Sequence, residues 1–540
     1  MSERRGRGDT RFAAVATDDV GHLRGADARS SNVGAARAVA DTVRSTLGPA
    51  GLDTMLVSER GSVTVTNDGE TILKSMDVDH PAARVVVEVA KAQATAAGDG
   101  TTTAVLFAGE LLRGADRLLD HGTPPAAVVT GYQWAADRLL DELDDLADLA
   151  DPVDPADLDD PDDDLLRRVA ETSLTGKAVE GHAGVLAGLV LDATAAVRVG
   201  RVVDLDYLEL VARPGASAAA SELRRGAVLD AGPVADSMPT DLAGARVLVL
   251  QETFDLPEPE TEARVAVGTA DGRGRLRRRE TRRARDAADR VTDLGVDVVL
   301  CHERVDDRIA ARLAARGVLA VEHLEREGVD LGFLQEVTGA TAVSGSRHAT
   351  RDSLGRVDVS REGSNGPLYV ENPDGHGVTL VVRGSTDHVA AEVERAVSDA
   401  VDVVARTVRD GRVVAGAGAT ETELAARLRA AAPGVDGRPQ LAVEAFADAL
   451  EAVPTTLARN AGLDPVDALV ALRAAHADGR TAAGVDIATG GVADATAAGV
   501  VQPAYVLEQA AYNAAKVASA LLKVDEVISV GRREFETGAG

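Results

Sequence analysis

Cysteine, lysine and aromatic residues are nearly absent from this 540-residue chain, and each shortage excludes something. The one thiol, Cys301, has no partner for an intramolecular disulfide. It follows the strand-like run Val296-Asp297-Val298-Val299-Leu300, which predicts a buried, inert group rather than a nucleophile. Aromatic residues make up 2% of the chain, leaving few faces on which bases could stack. The net charge of −29 would also repel a phosphate backbone, so no nucleic-acid partner is expected. No apolar run reaches the length of a transmembrane helix, and Met1 to Asp19 is charged rather than apolar. The sequence therefore reads as that of a soluble, cytoplasmic protein with no membrane partner. Lysine occurs only at Lys74, Lys91, Lys177, Lys516 and Lys523, and the other basic side chains are arginine. Replacement of Lys by Arg would also follow from a GC-rich genome in an acidic mesophile. Aspartate-rich runs such as Asp151 to Asp164 favour a halophile, because near 1 M salt the Debye length falls to ~3 Å and self-repulsion is screened.

A chain of this length predicts two to four domains. Periodicity is mostly helical to about residue 152, apart from a strand pair near Met55 to Val65. The acidic stretch Asp141 to Asp164 reads as a solvated connector. Helical pattern returns over Leu165 to Glu171 and Ala183 to Val197, flanking a loop that carries Lys177. From about Val202, short β-rich runs (Val202-Val203, Tyr207 to Val211, Val247 to Leu250, Val296 to Leu300) alternate with helical ones, as in an α/β domain. A strand at Val378 to Val382 leads back into long helices. The fold class is thus α+β and multidomain, without internal repeats, and periodicity does not say which ends pack together.

The chemistry concentrates in short motifs. Gly98-Asp99-Gly100-Thr101-Thr102-Thr103 lies between two helix-patterned runs, so three threonines open a helix whose free N–H groups and positive dipole end suit phosphate. Asp99 adds a carboxylate of the kind that holds Mg²⁺ together with phosphates. Alone, such a motif reads as a capped helix with a glycine turn. Upstream are Thr46-Leu47-Gly48-Pro49-Ala50-Gly51-Leu52-Asp53 and the turn Thr66-Asn67-Asp68-Gly69, and after them His80-Pro81-Ala82-Ala83. Downstream are Thr172-Ser173-Leu174-Thr175-Gly176-Lys177, Val382-Arg383-Gly384-Ser385-Thr386, Ser398-Asp399-Ala400 and Gly416-Ala417-Gly418. Asn460-Ala461-Gly462-Leu463-Asp464-Pro465 and Gly484-Val485-Asp486 follow. In this order the motifs resemble those of the group II chaperonins, the archaeal thermosome and its eukaryotic cytosolic relatives, from about Asp27 to about Ile528.

The resemblance implies a chaperonin architecture. An equatorial domain would come from 1–152 and 414–540, and an intermediate domain from 153–224 and 379–413. An apical domain, 225–378, would carry a built-in lid over about 264–295. It implies homo- or hetero-oligomeric double rings that enclose unfolded polypeptide clients, driven by ATP and Mg²⁺. By the same resemblance Asp99 is the metal ligand, and Asp68 and Asp399 are the acids near the attacking water. Gly48, Pro49, Gly100, Thr101, Thr102, Thr103, Gly176 and Lys177 then belong to the phosphate side, and Gly416, Gly418 and Gln502 to the nucleoside side. Periodicity alone puts Asp399 on a polar face with Glu392, Arg395, Asp402 and Arg406, as one solvated acid among several. Its place sixteen residues after Arg383 is what promotes it. Lys177 reads by default as a surface lysine, though its retention in a lysine-poor chain fits a task for a compact ammonium.

The chain also departs from the family pattern. Ala50 stands where lysine is usual, Ala417 interrupts three glycines, Gln502 replaces a glutamate and Leu507 a lysine. Hydrolysis is expected to survive these changes, with nucleotide affinity and cooperativity the properties at stake. Within the lid span, Gly268, Gly272 and Gly274 weaken a helix. The arginines from Arg273 to Arg285 repel one another, so Arg264 to Gly295 is expected to be the least ordered part. Two other functions compete: a diverged paralogue that holds clients or fills rings with little turnover, and a small-molecule kinase, for which no acceptor site or kinase motif is visible.

Overall fold

The computed structural model describes residues 20–57, 61, 63–76, 78–149, 163–177, 179–255, 270–363 and 366–530. They form two units, one from the residues up to Ala183 together with those from Asp410 on, the other from Gly184–Arg409. None of the described helices is long and apolar enough to cross a membrane.

The first unit is helical. Helices Gly25–Arg44, Pro81–Ala97, Thr101–Asp120, Pro125–Leu149, Ala419–Ala431, Pro439–Leu450 and Ala504–Leu522 share one core. With aromatic side chains so scarce, that core is built of alanine, valine and leucine, and the helices approach closely. A Cβ on Gly109 would lie 2.4 Å from the Ala40 methyl, and one on Gly131 would lie 2.4 Å from the Pro439 carbonyl oxygen. Where a large ring does enter, its polar tip is satisfied. Tyr132 is wholly buried, donates its hydroxyl to the Leu111 carbonyl at 2.6 Å, and meets Phe446 edge-on at 5.9 Å. Strand Val20–Arg24 pairs antiparallel with Glu526–Val530, joining the two ends of the described chain. Further hairpins and pairs join Thr54–Val57 to Val63–Thr66, Val413–Ala415 to Val501–Pro503, and Ala483–Asp486 to Gly491–Asp494.

The expected solvated connector is, in its first part, helix. Pro125–Leu149 runs through Asp141, with Leu143 and Leu146 buried and Glu142 buried between Arg138 and Arg427. Leu139, Leu143, Leu146 and Ala147 recur at helical spacing, and that apolar stripe outweighs the density of acids around it. Helix Asp163–Leu174 takes the far end of the stretch, and residues 150–162 lie outside those described.

The second unit has the expected α/β character. Leu242–Leu250, Val298–Cys301 and Leu319–Val321 run parallel, with Val298–Cys301 in the middle, and are connected through helices Ala270–Asp293 and Asp307–Ala315. Gly355–Arg361, Leu368–Glu371 and Gly226–Leu229 extend the sheet antiparallel. The parallel strands Val298–Cys301 and Leu319–Val321 are buried along their whole length, which is why they read as unbroken apolar runs. Cys301 ends the central one, fully buried, its thiol pushed up to about 12 by burial, in keeping with an inert group. A smaller sheet sets Val378–Gly384 between Leu208–Pro214 and Glu222–Arg224.

The described part of the arginine-rich span is helical. Ala270–Asp293 is continuous through Gly272 and Gly274. Ala284, Ala287, Ala288 and Val291 are buried against the sheet, and Glu280 and Asp289 pair with Arg308 and Arg316. Tertiary burial of that stripe outweighs a glycine penalty of about 1 kcal/mol per residue. Residues 256–269, with Arg264 and Gly268, lie outside those described.

Candidate functional site

Helix Pro81–Ala97 stops at Gly98, and Gly100 immediately precedes Thr101–Asp120. Both glycines are left-handed, with φ of 73° and 77°. No side chain caps the new helix, and its first internal bond runs from Ala104 N–H to the Gly100 carbonyl. Among the described residues, therefore, the N–H groups and half-buried hydroxyls of Thr101, Thr102 and Thr103 have no hydrogen-bond partner. A bare helix start of this kind is an anion site in waiting.

Asp99 is half-buried beside it. Its Oδ1 accepts from Gly100 N–H at 2.7 Å and its Oδ2 from Ser173 Oγ at 3.1 Å. Each oxygen retains a lone pair. The turn is held from behind by Gln93, wholly buried, whose amide donates to the carbonyls of Asp99 (3.0 Å) and Val506 (3.1 Å). Among the described residues no three His, Cys, Asp or Glu side chains converge on a metal position. One carboxylate oxygen donor beside N–H groups and hydroxyls free to hold phosphate instead fits Mg²⁺, which keeps waters and phosphate oxygens as its other ligands.

The Gly69 loop meets this helix start, and the Gly48 and Gly176 loops meet each other, each approach made possible by glycine. A Cβ on Gly69 would lie 2.5 Å from Thr102 Oγ1. One on Gly176 would lie 2.5 Å from the Gly48 carbonyl oxygen and 3.2 Å from Pro49 Cα. The Asn67 amide donates to the Gly176 carbonyl, and Asn460 holds the Gly48 loop through the carbonyls of Arg44 and Leu47. Asp68 caps helix Gly69–Ser75. Its Oδ1 accepts from Glu70 N–H, and its Oδ2 from Thr71 N–H (2.8 Å) and Thr71 Oγ1 (2.6 Å). Capping consumes part of the carboxylate's capacity and fixes its direction. Lys177 follows Gly176, half-buried.

The remaining elements join at Thr172 and Ser173. Thr172 Oγ1 accepts from Val501 N–H at 3.3 Å, one residue before Gln502, while Ser173 reaches Asp99. Gln502 donates to Glu421 at 3.2 Å. Burial raises the Glu421 carboxyl above the usual range, and its second oxygen has no partner among the described residues. Gly416 and Gly418 flank Ala417, whose φ of 55° lies in the region that disfavours a Cβ by about 1–2 kcal/mol. Its carbonyl accepts from Val485 N–H at 2.9 Å. Leu507, where lysine was the family expectation, is packed in the helical core.

Gly48, Pro49, Asp68, Asp99, Thr101 to Thr103, Gly176, Lys177, Gly416, Gly418 and Gln502 all lie in the first unit. Asp399 lies in the second, on helix Asp387–Asp410. The apolar stripe Val393, Val397, Ala400, Val404, Val408 is buried as expected. The polar face, however, is not the solvated one that periodicity implied. Glu392, Arg395, Asp399, Asp402 and Arg406 are half-buried, and burial raises the Asp402 carboxyl. Helical period assigns faces but does not say how much water each face meets. Gln93 was not singled out from sequence, and Thr172, Ser173 and Asn460 stood there only within motifs, without a role of their own. Gln93 carried a signal, since it sits on the buried stripe with Val86, Val89, Ala90 and Ala97.

A model of the TCP-1/cpn60 chaperonin family matches residues 39–532. The chain is similar to thermosome subunit 2 of Haloferax volcanii, 46% identical over 545 positions covering 100% of this chain and 95% of that one. It is 44% identical to thermosome subunit beta of Halobacterium salinarum over 96% of this chain and 93% of that one. With a thermosome subunit of Methanopyrus kandleri it shares 41% over 97% and 95%. Two of these relatives are haloarchaeal, in line with the acidic, lysine-poor composition.

Proposed function

This chain belongs to the TCP-1/cpn60 chaperonin family, and on that premise we propose that it is an ATP-hydrolysing subunit of a cytoplasmic double ring that encloses unfolded polypeptides and assists their folding. The observation that carries this reading is the uncapped Thr101–Asp120 helix start beside Asp99, with Gly69, next to Asp68, against Thr102, Ser173 on Asp99, and Gly176 against Gly48-Pro49. The N–H groups and hydroxyls of Thr101, Thr102 and Thr103 receive the phosphates, with Gly48-Pro49 and Gly176-Lys177 closing over them. Asp99 would hold Mg²⁺, which when bound neutralises charge on the phosphate oxygens. Asp68, its direction set by capping, orients water for in-line attack, together with Asp399. Lys177 supplies a compact positive charge near the terminal phosphate, and Gly416, Gly418 and Gln502 border the nucleoside. In the same proposal 1–152 and 414–540 form the equatorial domain, 153–224 and 379–413 the intermediate domain, and 225–378 the apical domain with its lid. A ring-filling subunit with weak turnover is not favoured, since relatives match nearly end to end and the phosphate-side residues retain a donor set for the reaction.

Phosphate release in molar KCl, with and without an unfolded client, tests the proposal, and turnover that is absent in both would overturn it. Asp399→Ala is expected to bind nucleotide within about twofold of wild type but to lower kcat by about a hundredfold, the scale of a lost positioning acid. Nucleotide binding that collapses together with hydrolysis would take the water-orienting role from Asp399. Gly176→Ala puts a methyl on a left-handed residue (φ 81°) and into the Gly48 carbonyl. The loop must move off Gly48-Pro49, and KM for ATP is expected to rise about tenfold, roughly 1.4 kcal/mol. Steady-state kinetics reads it, and an unchanged KM would separate this loop from the nucleotide.

A further inference from the structure

Arginine gathers on one part of the first unit although the chain is strongly acidic. A cleft of about 360 Å³ is lined by Arg44, Arg113, Arg117, Arg459 and Arg473. They come from helices Gly25–Arg44, Thr101–Asp120, Ala452–Asn460 and Pro465–Ala477. Three acids share the lining, and all are already engaged. Glu110 is paired by Arg44 at 2.6 Å and Arg113 at 3.3 Å. Asp448 is paired by Arg429 at 2.8 Å, and Glu451 by both Arg429 and Arg473. Arg117 and Arg459 form no ion pair among the described residues, and Arg113 Nε is buried without an acceptor. Five guanidinium groups against three carboxylates leave a surplus of two positive charges in a chain of net −29.

Such a surplus is unfavourable unless something answers it. A guanidinium offers a planar fork of donors that matches phosphate and carboxylate oxygens two at a time. In molar salt the long-range field is screened within a few ångströms, whereas direct forked contacts persist. The volume suits a small molecule rather than a chain segment. We propose that this cleft binds a small multivalent oxyanion, with Arg117 and Arg459 as its main contacts. The site is separate from the Asp99 cluster. Arg117 lies sixteen residues along the same helix from Thr101, about 24 Å at 1.5 Å per residue.

The test uses the intact assembly saturated with ADP, so that the nucleotide site is filled, and titrates pyrophosphate calorimetrically in molar KCl. One further equivalent per subunit is expected. In the double variant Arg117→Gln/Arg459→Gln its affinity is expected to fall at least tenfold, with ADP affinity unchanged. Neither arginine is in an ion pair among the described residues, so an unfolding midpoint close to wild type is expected and shows that the variant folds. Citrate competes if the site takes carboxylates as well as phosphates, and fails to compete if it takes phosphates alone. Either result supports a multivalent oxyanion. Absence of the extra equivalent in wild type overturns the proposal, as does equal binding by the double variant. Changed sedimentation of the double variant, with no pyrophosphate bound by wild type, would assign these arginines to subunit contact and likewise overturn it.

Discussion

Asp99→Ala is expected to leave the fold standing and to lower ATP turnover by about a thousandfold or more, the several kcal/mol expected from losing the group that holds the catalytic metal. The structural cost is small. Gly100 N–H and Ser173 Oγ each lose an acceptor at a half-buried position, worth about 1 kcal/mol apiece. Nucleotide binding is expected to respond differently from turnover. Removing a negative charge from beside the positive end of Thr101–Asp120 favours bare phosphate there, so metal-free ATP binds at least as well as in wild type. Asp99→Asn isolates the cause, because the amide retains an acceptor oxygen and the size of the side chain while deleting its charge. Phosphate release, nucleotide titration and thermal unfolding of the two variants read the three effects separately. Turnover within tenfold of wild type in both would leave Asp99 a turn-forming residue only.

Glu451→Gln is expected to destabilise the first unit by about 3 kcal/mol without touching the nucleotide cluster. The carboxylate is 3% exposed and sits between two guanidinium groups, with Arg429 and Arg473 each 2.7 Å from Oε1. Burial alone would raise its pKa, but the bonds from Arg473 and Arg429 more than offset that, and the net shift is downward. A carboxyl depressed in the folded state contributes stability that is present above the ordinary value near ~4.3 and lost as pH falls through the folded value. Wild type is therefore expected to weaken on acidification below about pH 4.3, with a smaller decline in the Gln variant. Urea unfolding in molar KCl at neutral pH and at about pH 4 measures both terms. A variant within about 1 kcal/mol of wild type at neutral pH would mean that the arginines re-pair with Asp448 or water at little cost.

Much of this was legible along the chain because its causes are local. The Gly98 and Gly100 turns, the Asp68 cap and the uncapped threonine start follow from residue type and spacing within one or two helical turns. The acidic, lysine-poor composition foretold the haloarchaeal relatives without any reference to shape. Where expectation failed, a tertiary effect outweighed a local one. Asp141 to Leu149 was read from its charge, yet its leucine stripe had a core to enter. In Ala270–Asp293, whose glycines and like charges weigh against a helix, four apolar residues of the second half are buried.

By itself, then, the sequence determined which residue types stand ready for phosphate and metal, where most helices and strands begin, and that the core would be built of small aliphatic side chains. The tertiary structure decided which of these meet. Gly176 touches Gly48, Gly69 touches Thr102, and Ser173 reaches Asp99. The helices lining the arginine cleft come from three widely separated stretches of the chain. The physical reason is that burial of apolar surface is strong but non-directional, so an apolar stripe announces that it will be covered and not by what. Backbone-to-backbone approaches at glycine carry still less signal, because what matters there is the side chain that is missing.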